Sequence, residues 1–124
     1  MALPVRKYDG ALVLAPQGRL DHDNCEAFQA DLEPHVAACA RERTALVLDL
    51  SGLEYVSSAG LRCLMVAARQ AKSQHSRILL SAMRPLVAEI ISISRFNLVL
   101  EVFPTTRAAL ASVSPQAAQV FDRG

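Results

Sequence analysis

A chain of 124 residues is the length of one compact domain, and its 52% hydrophobic, 20% charged composition is that of a globular protein able to bury its own core. Thirteen basic against twelve acidic side chains leave a formal net charge of +1, which removes the electrostatic argument for nucleic acid or an anionic membrane as partner. No run reaches the length of about eighteen apolar residues that a membrane span needs, so no direct membrane insertion is expected.

The opening MALPVRKYDG has no charged segment followed by an apolar one, so it does not read as a secretory signal. Three cysteines cannot all pair within one chain, and their spacing matches no metal motif. A reducing, cytoplasmic setting is the simplest reading, with no metal and no cofactor.

PVRKY and ALVLAP flank Asp9-Gly10, a dipeptide suited to a hairpin turn. The second run is apolar enough for a central strand, and Pro4 favours an edge position for the first. In DHDNCEAFQADLEPHVAAC, Cys25, Phe28, Leu32, Val36 and Cys39 recur at intervals of three and four and predict one buried helical face. Asp21, Asp23 and Asn24 all suit its N-cap, and Pro34 removes one backbone donor within it. Both cysteines fall on the apolar stripe, which assigns them to packing.

TALVLDL is a continuous apolar strand, as expected where both faces of a parallel sheet are covered. SSAGLRCLMVAARQAKS predicts a second helix, RILLSA a strand, RPLVAEIISIS a third helix with Pro85 in its first turn, and NLVLEVF the last strand. Thr105 or Thr106 can cap a short helix through RAALASV. The tail over residues 114–124, SPQAAQVFDRG, shows few anchors and is expected to fray. The order ββαβαβαβα predicts a single α/β domain over residues 1–124, its core about 5–113: a mostly parallel sheet with an N-terminal β-hairpin and flanking helices.

Ligand sites of open α/β sheets gather at the C-terminal ends of strands. GRLDHDN and the segment from Asp49 to Leu61 both belong there, and the second holds Ser57 and Ser58 ahead of Gly60. A nucleophile elbow needs G-x-S-x-G, and Val56 stands where its first glycine should be. A trio of Ser58, His22 and Asp49 would be the remaining route to a small serine hydrolase, and nothing in the spacing joins them. Ser57 suits the N-cap of the second helix, a role worth about 1 kcal/mol. Gly60 costs that helix roughly 1 kcal/mol against alanine, which suggests a close approach by another surface. A phosphate on Ser58 would meet the free amides and dipole of the helix N-terminus, with Arg62 one turn on. Leu61, Leu64, Met65 and Ala68 form the predicted core stripe of the helix; Ser58, Arg62, Val66, Arg69 and Ser73 lie on another face that could dock a partner.

LVLDLSGLEYVSSAGLRCLM, preceded by GRLDHDN and followed by the ILLSA strand and RPLVAEIISISRFN, resembles a STAS domain, and more narrowly the bacterial anti-sigma factor antagonists. The resemblance covers about residues 5 to 113. It implies partner switching without enzymatic activity. The unmodified antagonist binds an anti-sigma factor that is also a GHKL-type serine kinase, the kinase phosphorylates the antagonist, and a PP2C-type phosphatase restores it. Counted from Gly60 and Leu61, the phosphorylated position of the family falls on Ser58, with Ser57 in reserve where aspartate is frequent. Asp21 and Asn24 match the family's neighbouring loop, so the implied partner contacts are Asp21, Asn24, Ser57, Ser58, Gly60, Arg62, Val66 and Arg69. Asp49 is read as bracing its own loop. The family implies a monomer before binding. The same fold also implies two alternatives: a constitutive STAS subunit of a lipid-transport ATPase, and a partner switch that controls secretion.

Overall fold

The computed structural model describes residues 3–96 and 100–123. Along the chain run β1 (Val5–Tyr8), β2 (Ala11–Leu14), β3 (Gly18–Leu20), α1 (Cys25–Glu42), β4 (Ala45–Asp49), β5 (Leu53–Val56), α2 (Ser58–Ser73), β6 (Ile78–Ser81), α3 (Pro85–Ile93), β7 (Glu101–Phe103), α4 (Thr106–Val113) and α5 (Pro115–Asp122). Residues 97–99, the front of the predicted last strand, lie outside the described residues.

The main sheet has the order β1-β2-β4-β6-β7, with β1 antiparallel to β2 and every other pair parallel. The predicted α/β class and opening hairpin are therefore present, with β1 on the edge as Pro4 favours. Tyr8 pairs with Ala11, so the hairpin closes over Asp9-Gly10, and Gly10 takes the positive φ of +77°.

Alternation along the central strands sends side chains to two cores. Leu12, Leu14, Leu46, Leu48 and Leu80 meet Phe28, Leu32 and Val36 of α1, Leu61 and Leu64 of α2, and Val87 and Ile91 of α3. Ala11, Val13, Ala45, Val47 and Leu79 face Ala109, Leu110 and Ala117 on α4 and α5. Burial on both faces explains the uninterrupted apolar runs of β2 and β4. Each fully buried leucine contributes roughly 2 kcal/mol of transfer free energy. Ser81 and Thr106 are buried polar residues, and their hydroxyls are 2.8 Å apart, so neither is stranded. Thr105 is the cap of α4: its Oγ1 accepts from the Ala108 amide at 3.0 Å.

Three elements depart from the predicted order. β3 and β5, both read as loop, pair in parallel as a separate two-stranded sheet, Leu20 opposite Val56. Each becomes a strand only by pairing with the other, a contact distant in sequence. The tail predicted to fray is helix α5. Ser114 caps it by accepting from the Ala117 amide, Pro115 opens it, and Ala117 and Ala118 are buried. Phe121 then meets the Tyr8 ring at 6.2 Å between centroids. No helix among the described residues is long and apolar enough to cross a membrane.

Candidate functional site

The small sheet brings the two loops together. β3 leads through residues 21–24 into α1, β5 leads through Ser57 into α2, and the strands run side by side. The predicted meeting of GRLDHDN with the serine loop therefore occurs, on the two-stranded sheet and not on the main one. The Ser57 amide donates to the Leu20 carbonyl at 2.9 Å and ties the loops directly.

Ser57 is the N-cap of α2: with extended backbone, its Oγ accepts from the Gly60 amide at 3.2 Å. Ser58 is the first helical residue, exposed, and its hydroxyl makes no hydrogen bond among the described residues. One serine is thus engaged by the fold, and the other is exposed beside it.

Gly60 is buried, and the surface approaching it belongs to the chain itself. A Cβ built there would stand 2.6 Å from the Leu20 carbonyl oxygen and 2.9 Å from Leu20 Cγ. The glycine lets α2 seat against β3, so the structure gives it a packing role.

The loop before α1 is similarly self-contained. Asn24 uses both ends of its amide, with Oδ1 accepting from the Asp21 amide at 2.9 Å and Nδ2 donating to the Arg19 carbonyl at 2.6 Å. It occupies the N-cap position without a side-chain cap. Asp21 accepts from the Asp23 amide at 3.0 Å, and its carbonyl receives the Cys25 amide at 2.9 Å. Asp21 and Asn24 hold the loop, and the side chains it presents outward are His22 and Asp23, each 81% exposed and 3.2 Å apart. Sequence reasoning missed this pair because Asp21, Asp23 and Asn24 are all suitable polar groups, and only the loop geometry decides which of them turn inward. Asp49 braces its loop as expected, accepting from the Ser51 amide at 3.0 Å. The trio of Ser58, His22 and Asp49 is therefore not assembled, since His22 turns to Asp23 and Asp49 to Ser51.

On α2, Leu61, Cys63, Leu64, Ala67 and Ala71 are buried, and Met65 and Ala68 are partly so. This stripe is wider than predicted because the helix packs on α1 as well as on the sheet. Ser58, Arg62 and Arg69 are exposed and Val66 is half-buried. With Met65 and Phe96, they line a shallow groove of about 370 Å³. Phe96 follows α3 and lies far from the serines in sequence, so no local pattern could have placed it there. Arg62 and Arg69 make no ion pair with any described residue and leave the groove basic around an apolar floor.

Comparison with known proteins follows the same line. The family model described as Mlab, STAS domain matches residues 4–101. BtrV of Bordetella bronchiseptica, named as a candidate anti-sigma factor antagonist, is 34% identical over 114 residues, covering 92% of this chain and 93% of its own. A crystal structure of a candidate anti-sigma factor antagonist from Thermotoga maritima superposes with a TM-score of 0.81 at 18% identity, over 90% of this chain and 93% of that one. The structure of the Bacillus cell fate determinant SpoIIAA in its phosphorylated form matches with a TM-score of 0.62 at 16% identity, over 90% and 99%. At such identities the two solved structures speak for the fold.

Proposed function

This chain belongs to the STAS-domain family, among the anti-sigma factor antagonists, and on that premise we propose that it is a phosphorylation-switched antagonist whose modified residue is Ser58. The observation that carries the reading is the division of labour between the serines. Ser57 is committed to the helix cap, while Ser58 offers an exposed, unbonded hydroxyl at the mouth of a groove lined by Arg62, Val66, Arg69 and Phe96.

The unmodified protein docks an anti-sigma factor through this groove. The basic rim suits an acidic surface on the partner, and Val66, Met65 and Phe96 supply the apolar contact beneath it. The partner is a GHKL-type serine kinase that transfers a phosphoryl group to Ser58. The phosphate then sits at the N-terminus of α2, where backbone amides and the helix dipole favour an anion. Arg62, one turn on, pairs with the phosphate and no longer with the partner, and the added charge of about −1.5 to −2 repels an acidic docking surface. The fold tolerates the change because Ser58 supports nothing structural. A PP2C-type phosphatase reverses the switch. The protein works in the cytoplasm, as a monomer when free, and its released target is a sigma factor or another regulated apparatus such as secretion.

The test is phosphorylation of the purified chain by its cognate kinase with ATP, with the site located by peptide mass spectrometry. One phosphate on Ser58, absent from Ser58→Ala, supports the reading. A kinase that is active on a control substrate but leaves Ser58 unmodified overturns it in favour of a constitutive STAS subunit.

A further inference from the structure

Two thiols meet beside this site. Cys25 is the first residue of α1 and half-exposed; Cys63 lies on the inner side of α2, buried, with its Sγ 3.4 Å from the Cys25 carbonyl oxygen. The Cys25 thiol itself points to the His22 carbonyl at 3.9 Å, so both sulfurs lie around the first turn of α1. Cys25 opens α1 directly after Asn24, and Cys63, next to Arg62, is the sixth residue of α2. Cys39, the third thiol, is buried elsewhere on α1, where its Sγ contacts the Ala45 carbonyl at 4.0 Å.

We propose that Cys25 and Cys63 are an oxidation site that closes to an intramolecular disulfide between the N-terminal turn of α1 and α2. The accessible partner reacts first. A Cys25 thiolate attacks a peroxide oxygen, the O–O bond breaks, and a sulfenic acid forms as hydroxide leaves and takes up the proton the thiol had released, giving one water. The Cys63 sulfur then attacks the Cys25 sulfur, the S–O bond breaks, and the departing hydroxide takes the Cys63 proton as a second water. Two thiols are oxidised, one peroxide is reduced to two waters, and no other reactant is needed. Proximity favours the second step over further oxidation, because the Cys63 sulfur is held against the Cys25 backbone. The bond would pin the β3–α1 loop to the helix that carries Ser58 and Arg62. The inference goes beyond the proposed phosphorylation switch, and its chemistry stands whether or not Ser58 is modified.

The experiment is treatment of the reduced protein with hydrogen peroxide and, separately, with diamide, followed by alkylation and non-reducing peptide mapping. The expected product is a monomer lighter by two hydrogens with Cys25 and Cys63 peptides linked. The link should vanish in Cys25→Ser and persist in Cys39→Ala. Because Cys25 is half-exposed, its serine variant keeps the fold, and a thermal melt of the reduced variant checks this. Three outcomes overturn the proposal: Cys25 oxidised to sulfinic acid with Cys63 still free, a link only between chains, or no oxidation by either reagent. The mass readout is independent of kinase binding, so failure here leaves the phosphorylation reading standing, and the reverse.

Discussion

The Leu20 carbonyl oxygen receives the Ser57 amide at 2.9 Å and lies 2.6 Å from where a Cβ on Gly60 would stand. One backbone group therefore fixes both the start of α2 and the only size of residue that fits its third position. Gly60→Ala should gain up to about 1 kcal/mol of helix propensity and lose more through the clash, for a net destabilisation of about 1–2 kcal/mol. A lower urea midpoint checks this. An unchanged or raised midpoint would show that β3 and α2 can separate without cost.

The adjacent serines should separate by role. Ser57→Ala removes the acceptor of the Gly60 amide and should cost about 1 kcal/mol of stability. Ser58→Ala breaks no bond among the described residues and should stay within about 0.5 kcal/mol of the parent. Chemical denaturation of both variants decides the matter, and equal losses would give Ser58 a structural part.

Legibility in the sequence tracks how local the governing interaction is. The buried runs of β2 and β4, the Asp9-Gly10 turn, Pro85 at the start of α3 and the Ser57 cap are set by neighbours along the chain, and all could be read. β3 and β5 could not, because Gly18–Leu20 and Leu53–Val56 become strands only by pairing with each other. The roles of Asp21 and Asn24 were hidden for a different reason: their bonds are local, but a polar loop offers several such residues and the pattern does not say which ones the loop consumes internally. α5 did carry a local signal, since Ser114 and Pro115 form a cap and first-turn pair. Its anchors are alanines, whose small surfaces do not advertise a core face. Phe96 reaches the groove only through tertiary packing.

The C-terminal helix supplies a direct check on that last element. Phe121 packs at 6.2 Å from the Tyr8 ring, and Ala117 beside it is fully buried. Phe121→Ala should lower stability by about 1–2 kcal/mol, as expected for a half-buried aromatic that loses both area and a ring contact. A thermal midpoint equal to that of the parent would mean that α5 adds nothing to the edge strand.

Alkaline pH should weaken the fold through Cys63. Burial, aided by the neighbouring Cys25 thiol, pushes the Cys63 thiol from its ordinary 9.0 up to about 11. Between those values the native chain keeps a proton that the unfolded chain has released. The native state binds more protons there, so stability falls as pH rises through the window. Cys63→Ala removes this contribution and should flatten the decline, read as urea midpoints across the same range. Parallel declines in parent and variant would assign the alkaline loss to other groups.

The docking groove makes the strongest demand on binding. Val66 lies at its floor between Arg62 and Arg69, half-buried and without a polar partner. Val66→Asp places a carboxylate where an apolar contact with the partner is proposed, and also where an acidic partner surface would repel it. The unmodified variant should lose at least tenfold in affinity for the kinase, about 1.4 kcal/mol or more. Ser58→Asp should weaken binding as well, through added charge at the groove mouth, with a melting temperature close to that of the parent because an acidic residue at a helix start is stabilising by about 0.3–1 kcal/mol. Titration calorimetry with the purified partner separates the effects. If Val66→Asp binds normally, this face of α2 is not the docking surface. If only Ser58→Asp binds normally, the face docks its partner constitutively and charge at Ser58 does not govern release.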